Sequence, residues 1–254
     1  MRQPSYFIME RTDKINSDIT LTQNISGLTY GTDALLLSAF IKGKRGGRAA
    51  ELGTGTGVIS LLASARGKFS RIYAYEVQKE YADLAQKNVT ANSFDSVIKV
   101  INKDIRQAAV ADVEKEVDAV FANPPYMRCD TGFRNEDDGK YAARHEVFGG
   151  ISDFCDCARL LLKNGGSFYV VWRPDRFSDL VCALDAASLM LKRVVTVYND
   201  PDHSPCLMLI EARKGVGKGT FFTRPFFIKN GDNQTAEMDF ICEKGVFDER
   251  YRKE

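Results

Sequence analysis

An α/β fold, with a seven-stranded and mostly parallel sheet carrying helices on both faces, is what the sequence predicts. Three observations predict it. From Arg48 onward, short apolar runs alternate with longer stretches of helical period, the pattern of a parallel sheet covered by helices. A glycine loop, ELGTGTG (Glu51–Gly57), leaves the first apolar run and opens a helix. The last two apolar runs, KRVVTVYN and CLMLIEARK, have only the six residues DPDHSP between them. So short a link cannot carry a parallel crossover, so the two runs form an antiparallel hairpin at one edge of the sheet.

Each element follows in order. RAAEL is the first strand of the sheet and VISLLASARG the helix after the glycine loop. RIYAYE is the second strand, followed by an amphipathic helix in VQKEYADLAQKNVTANS; VIKVIN is the third strand, leading to Asp104. VDAVFA, short, apolar and bounded by charges, is a buried fourth strand. After a polar loop from Arg128 to His145, ISDFCDCARLLLKNGG reads as a helix stopped by its glycines. SFYVVW is the fifth strand and RFSDLVCALDAASL a further helix. Ahead of the sheet, ITLTQNISGLTYGTDALLLSAFI offers a hairpin around QNISG and a helix capped by Thr32 or Asp33. Behind it, an aromatic-rich segment with an NGDN turn reads as a docked tail. The expected division is an extension over 1–47, a core over 48–214 and a tail over 215–254.

Composition narrows the function. The 35 basic and 34 acidic residues leave a net charge of +1, so no global field attracts a polyanion. Three local clusters could do so if they surround one cleft: KGKRGGR (Lys42–Arg48), RKGVGKG (Arg213–Gly219) and RYRK (Arg250–Lys253). Taken singly, each reads as a solvated loop or tail. No run approaches the roughly 18–20 apolar residues of a spanning helix, and the first residues have no signal-peptide core, so a cytosolic (cytoplasmic) protein is expected. The six cysteines include no C-x-x-C pair and the two histidines lie far apart, so reduced thiols and no metal are expected.

The chemistry concentrates at strand ends. Glycines 53, 55 and 57 let backbone approach a ligand at a helix N-terminus. Val58 stands where a dinucleotide fingerprint wants its last glycine, and no Lys-Ser/Thr follows as a phosphate loop requires. Glu76, ending the second strand, can accept hydrogen bonds from both hydroxyls of a ribose. Asp104, after the third, can accept from the exocyclic amine of an adenine. Together these outline a nucleoside with an uncharged or cationic tail. Just past the fourth strand stands NPPY, Asn123-Pro124-Pro125-Tyr126, whose prolines hold the turn extended and supply acceptors without donors.

ELGTGTG, Glu76, Asp104 and NPPY, in that order and spacing over roughly Leu28 to Lys214, resemble the class I S-adenosylmethionine-dependent methyltransferases, whose sheet is Rossmann-like. The resemblance implies S-adenosylmethionine as cofactor, held by Thr32, Asp33, Glu51, Gly53, Thr54, Gly55, Gly57, Glu76, Val77, Asp104 and Ile105. It also implies that NPPY acts on a planar nitrogen: adenine N6, guanine N2 or a glutamine amide. The Asn123 side-chain oxygen and the Pro124 carbonyl would accept hydrogen bonds from the NH2 group, holding its nitrogen pyramidal and freeing its lone pair. Tyr126 would stack on the base, a contact worth about 1–3 kcal/mol, and such a base must be unpaired or flipped out.

The flanks choose among acceptors. Gln23, Tyr30-Gly31 and Asp33–Leu36, ARHE (Ala143–Glu146) and RPFFIKNGDNQTAEM are similar to the bacterial valine-tRNA adenine-37 N6-methyltransferases. That resemblance implies tRNA as partner, an anticodon-loop adenine as acceptor, Thr32 and Asp33 closing the cofactor's amino-acid end, and basic tails on phosphate. Release-factor glutamine methyltransferases usually carry an N-terminal helical domain, for which the 47 residues before Arg48 are too few. Guanine-N2 ribosomal RNA enzymes stay open. A DNA adenine methyltransferase would need a sequence-reading domain. A non-catalytic RNA-binding scaffold would show damage at Asn123, Pro124 or the glycine loop, and all are intact.

Overall fold

The computed structural model describes residues 10–15, 19–24, 31–125 and 149–251. The sheet is assembled from β3 (Arg48–Leu52), β4 (Arg71–Glu76), β5 (Ile98–Asn102), β6 (Val117–Ala122), β7 (Leu162–Trp172), β8 (Leu189–Tyr198) and β9 (Pro205–Lys214). Their spatial order is β8-β9-β7-β6-β3-β4-β5, with β9 antiparallel between β7 and β8 and the other pairings parallel. The seven expected strands are all present. Two more residue pairs, β10 (Phe221–Phe222) and β11 (Phe226–Phe227), run along β8 and cover an edge that would otherwise offer unpaired backbone groups.

The strands sort their side chains by period two. In β4, Ile72 and Ala74 face one layer and Tyr73 and Tyr75 the other; in β6, Ala119 and Phe121 oppose Val120 and Ala122. The first layer holds α1 (Thr32–Phe40), α2 (Val58–Ala65), α3 (Lys79–Ala91) and the helix Ala236–Lys244; the second holds the helices Ile151–Leu161 and Phe177–Ala186. Each buried Leu, Ile or Phe contributes about 1.5–3 kcal/mol, so both faces are core and every strand is fixed in register.

Two local expectations need correcting. The expected helix through 166 ends at Leu161, and Leu162-Lys163-Asn164-Gly165-Gly166 already belongs to β7. The glycines make an irregularity in the β6–β7 pairing: Gly165 has φ +76°, and a Cβ on Gly166 would lie 2.9 Å from the Leu162 side chain. The cap of α1 is Gly31, with Thr32 and Asp33 inside the first turn. The expected hairpin around QNISG falls largely on residues 25–30, outside the described residues; ahead of it, β2 (Thr20–Asn24) pairs antiparallel with β1 (Glu10–Lys14). Helix α3 and its C-cap hold β2 by two asparagines. The Asn88 side chain accepts from Thr22 N–H (2.8 Å) and donates to Thr22 C=O (2.9 Å), and Asn92 does the same with Thr20 (2.9 and 2.7 Å).

The segment after Lys214 packs on the same layer. Phe226, Phe247 and Tyr251 stack edgewise, and Phe247 meets Phe40 of α1 at 6.0 Å. Beneath them the buried Arg193 guanidinium lies 4.0 Å over the Phe40 ring, pairs with Glu211 at 2.9 Å and donates to the Tyr251 carbonyl at 2.9 Å. An Arg in so dry a place survives because its charge is paired and its fork is used.

Candidate active site

Register brings the motif residues to one level. Leu52 of β3 pairs with Ala122 of β6 on one side and with Tyr75 of β4 on the other, and Glu76 pairs with Asn102 of β5. Gly53, Asn123 and Glu76 are therefore the next residues out of three adjacent parallel strands, with Asp104 two positions beyond Asn102. The chain passes from β3 outward to β4 and β5, then crosses to β6 on the opposite side of β3. That reversal opens a crevice at the carboxyl ends, where open α/β sheets bind ligands.

The glycine loop is held by its own neighbourhood. Gly53, Gly55 and Gly57 have φ of +72°, +56° and +87°, the left-handed region that favours glycine. Thr54 N–H donates to Tyr75 C=O at 2.8 Å, and Gly57 forms the N-cap of α2. Glu51, 1% exposed, accepts from Thr54 Oγ1 (2.7 Å) and from Ser60 N–H (3.2 Å) and Oγ. Burial pushes its carboxyl up to about 7 against the lowering effect of those donors.

Glu76 is 6% exposed, with Oε2 accepting from Gly55 N–H and Oε1 from Gln78 N–H, each at 2.9 Å. Burial raises its carboxyl, and the backbone donors pull the other way. The backbone donors of Gly55, Gln78 and Val77 do not exhaust the acceptor positions of a carboxylate. Val77 follows, half-buried. Asp104 caps the short helix Ile105–Gln107 by accepting from Arg106 N–H at 2.9 Å, and also takes the Arg106 guanidinium. Arg106 holds the Asp104 carboxyl below its ordinary value. Ile105 is 7% exposed and packs with Tyr75 and Ala122 under the crevice floor.

At the end of β6, Asn123 and Pro125 are half-buried and Pro124 is buried, while Tyr126 and the 128–145 loop, with ARHE, lie outside the described residues. The Asn123 Nδ2 donates to Asp33 Oδ2 at 2.9 Å, so the first turn of α1 reaches the end of β6. Thr32, next to it, is exposed.

Residues 26–186 match the methyltransferase small domain family. The chain belongs to that family. It is 25% identical over 236 residues, 92% of each chain, to a protein of Flavobacteriaceae bacterium (strain 3519-10) named tRNA1(Val) (adenine(37)-N6)-methyltransferase. It is 27% identical over 202 residues to the protein of the same name from Bacteroides fragilis (strain YCH46), covering 75% of this chain and 79% of that one. Among solved structures, a predicted O-methyltransferase from Agrobacterium tumefaciens is similar in fold, with a TM-score of 0.69 and 22% identity over 85% of this chain and 98% of that chain.

In this methyltransferase two of the three basic clusters lie at the amino ends of the strands, away from the crevice. Arg48 begins β3, and Lys44 donates to Asp118 at the start of β6 (2.7 Å), so KGKRGGR sits at the amino ends of the strands. Arg213 and Lys214 end the antiparallel β9 opposite Ser167 and Leu189, at that same edge. Of RYRK, Arg250 pairs with Asp248 at 2.9 Å. Sequence reading also missed Asn88, whose amide donates to Thr56 C=O (2.9 Å) as well as holding Thr22. Two asparagines spaced i, i+4, Asn88 within α3 and Asn92 at its C-cap, were the signal that could have found it.

Proposed function

We propose that this chain transfers the methyl group of S-adenosylmethionine to N6 of an unpaired adenine in tRNA, namely adenine 37 in the anticodon loop of a valine tRNA. The observation that carries the reading is the register that aligns Gly53, Glu76 and Asn123 at the mouth of one crevice. The acceptor is named from the relatives, which match this chain over 92% of its length in one case.

The crevice fits the donor on two counts. A Cβ on Gly55 would meet no atom within 4 Å among the described residues, so the loop opens onto space where a ligand can lie against backbone. The buried Glu76 carboxylate has acceptor capacity left for two ribose hydroxyls. Asp104, whose oxygens take the Arg106 backbone N–H, Nε and Nη2, would accept an adenine amine by giving up part of that pairing. Val77 and Ile105 supply apolar contact to the base, Glu51 and Thr54 brace the loop, and Thr32 flanks the donor's amino-acid end, while the Asp33 carboxylate beside it is engaged by Asn123.

When bound, the donor supplies a methyl group on a positively charged sulfur. Asn123 Oδ1 and the Pro124 carbonyl accept the two N–H groups of the target amine, which turns its lone pair toward that methyl and favours the positive charge that grows on nitrogen. Tyr126 stacks on the base. A general base is not required, because the nitrogen becomes acidic only once methylated and then loses its proton. The test is to incubate the protein with labelled donor and total tRNA from a strain lacking the enzyme. Label is expected in N6-methyladenosine at position 37 of valine tRNA; label in guanine, or in protein alone, would refute the reading.

A further inference from the structure

We infer that Asp33 is a positioning residue: its carboxylate fixes the rotation of the Asn123 side-chain amide so that Oδ1 is the end presented to the acceptor amine. The inference rests on the proposed methyl transfer to nitrogen and adds to it. An asparagine amide is nearly symmetric in shape, yet its two ends do opposite things, and only the oxygen can accept from an NH2 group. With the wrong end forward, Nδ2–H would point at N–H and the acceptor would be turned away. Something must break the symmetry.

Asp33 does so. A carboxylate only accepts, so its Oδ2, 2.9 Å from Asn123 Nδ2, holds the nitrogen end back and sends the oxygen end to the opposite side. The carboxylate is itself fixed, because Oδ1 accepts from Ala34 N–H at 2.8 Å in the first turn of α1. Gly31 makes room for it. A Cβ at 31 would stand 2.7 Å from Asp33 Oδ1, although Gly31 has φ −116° and ψ −177°, a backbone any residue can adopt. A side chain at 31 would displace the carboxylate from this position. A fixed negative charge behind the amide also polarises its oxygen toward a nitrogen that becomes positive.

The Asp33→Ala variant should lower kcat about 10- to 100-fold, the size of effect expected from a slightly misplaced group, while donor affinity measured by calorimetric titration stays within about twofold. Asn123→Asp should place two carboxylates together, so its residual activity rises as pH falls and one of them takes a proton. The exchange Asp33→Asn with Asn123→Asp restores one donor facing one acceptor, and should recover at least about tenfold of kcat over Asn123→Asp alone. Gly31→Ala should lower kcat in the wild-type background and have no further effect in Asp33→Ala. A readout without donor or RNA separates this inference from the proposed reaction: the Asn123 side-chain amide protons should exchange slowly in the wild type and fast in Asp33→Ala by NMR. Unchanged exchange, or an exchanged pair no better than the product of its single variants, would overturn the inference even if tRNA is methylated. So would Asp33→Ala losing donor affinity with kcat intact, since Asp33 would then serve the donor.

Discussion

Gly53 to Gly57 and Asn123 leave the ends of the adjacent strands β3 and β6, but they are held by different kinds of partner. The loop is braced by Glu51, Ser60, Tyr75 and Glu76 and, from α3, by Asn88, which donates to Thr56 C=O. Asn123 is braced by Asp33, 90 residues earlier in the chain. The proposed donor side can form once β3, β4, α2 and α3 are in place, whereas the proposed acceptor side is complete only when α1 has docked. The two sides should therefore fail differently when probed.

The largest expected effect is on the acceptor side alone. Asn123→Ala should cut kcat by about 10²–10³ or more, the loss seen when one group directed at a developing charge is removed, with donor affinity unchanged by calorimetry. Normal turnover would mean that the amine is held by something else. Next, Glu76→Ala should weaken donor binding by about 10- to 100-fold, as loss of charge-assisted hydrogen bonds implies; an unchanged affinity would remove Glu76 from the ribose assignment.

Asn88 belongs to both sides, since it ties Thr22 ahead of α1 to Thr56 in the loop. Asn88→Ala leaves buried backbone groups unpaired and should cost about 1–3 kcal/mol in urea unfolding. If the loss is confined to the segment before α1, hydrogen exchange will rise at Thr22 with Thr56 unaffected, and the coupling is absent.

A last effect concerns pH. Burial raises the Glu51 carboxyl from its ordinary 4.5 to about 7, so the folded state holds a proton that the unfolded chain releases. The stability this gives is full below about pH 4.5 and is lost as pH rises through about 7. Glu51→Gln should flatten the fall in unfolding free energy between those values; equal slopes in both proteins would contradict the assignment.

What was legible in the sequence follows the same division. The glycine loop, Glu76 and the strand order at the hairpin could be read because each is decided by neighbours or by link length. The start of β7 at Leu162 could not, because a β-bulge and a helix stop use the same two glycines. The Asp33–Asn123 and Asn88–Thr22 bonds join distant segments, and no local pattern announces them. The basic clusters were partly legible in retrospect: Arg48 precedes the first core strand and Lys214 ends an antiparallel one, so both had to lie at the amino edge, away from the crevice.

The most direct measurement is a crystal structure with S-adenosylhomocysteine and adenosine monophosphate bound together. The account predicts ribose hydroxyls on Glu76, and the adenine N6 about 3 Å from Asn123 Oδ1 and in line with the sulfur. An adenine bound away from Asn123, or a sulfur facing another wall of the crevice, would contradict it.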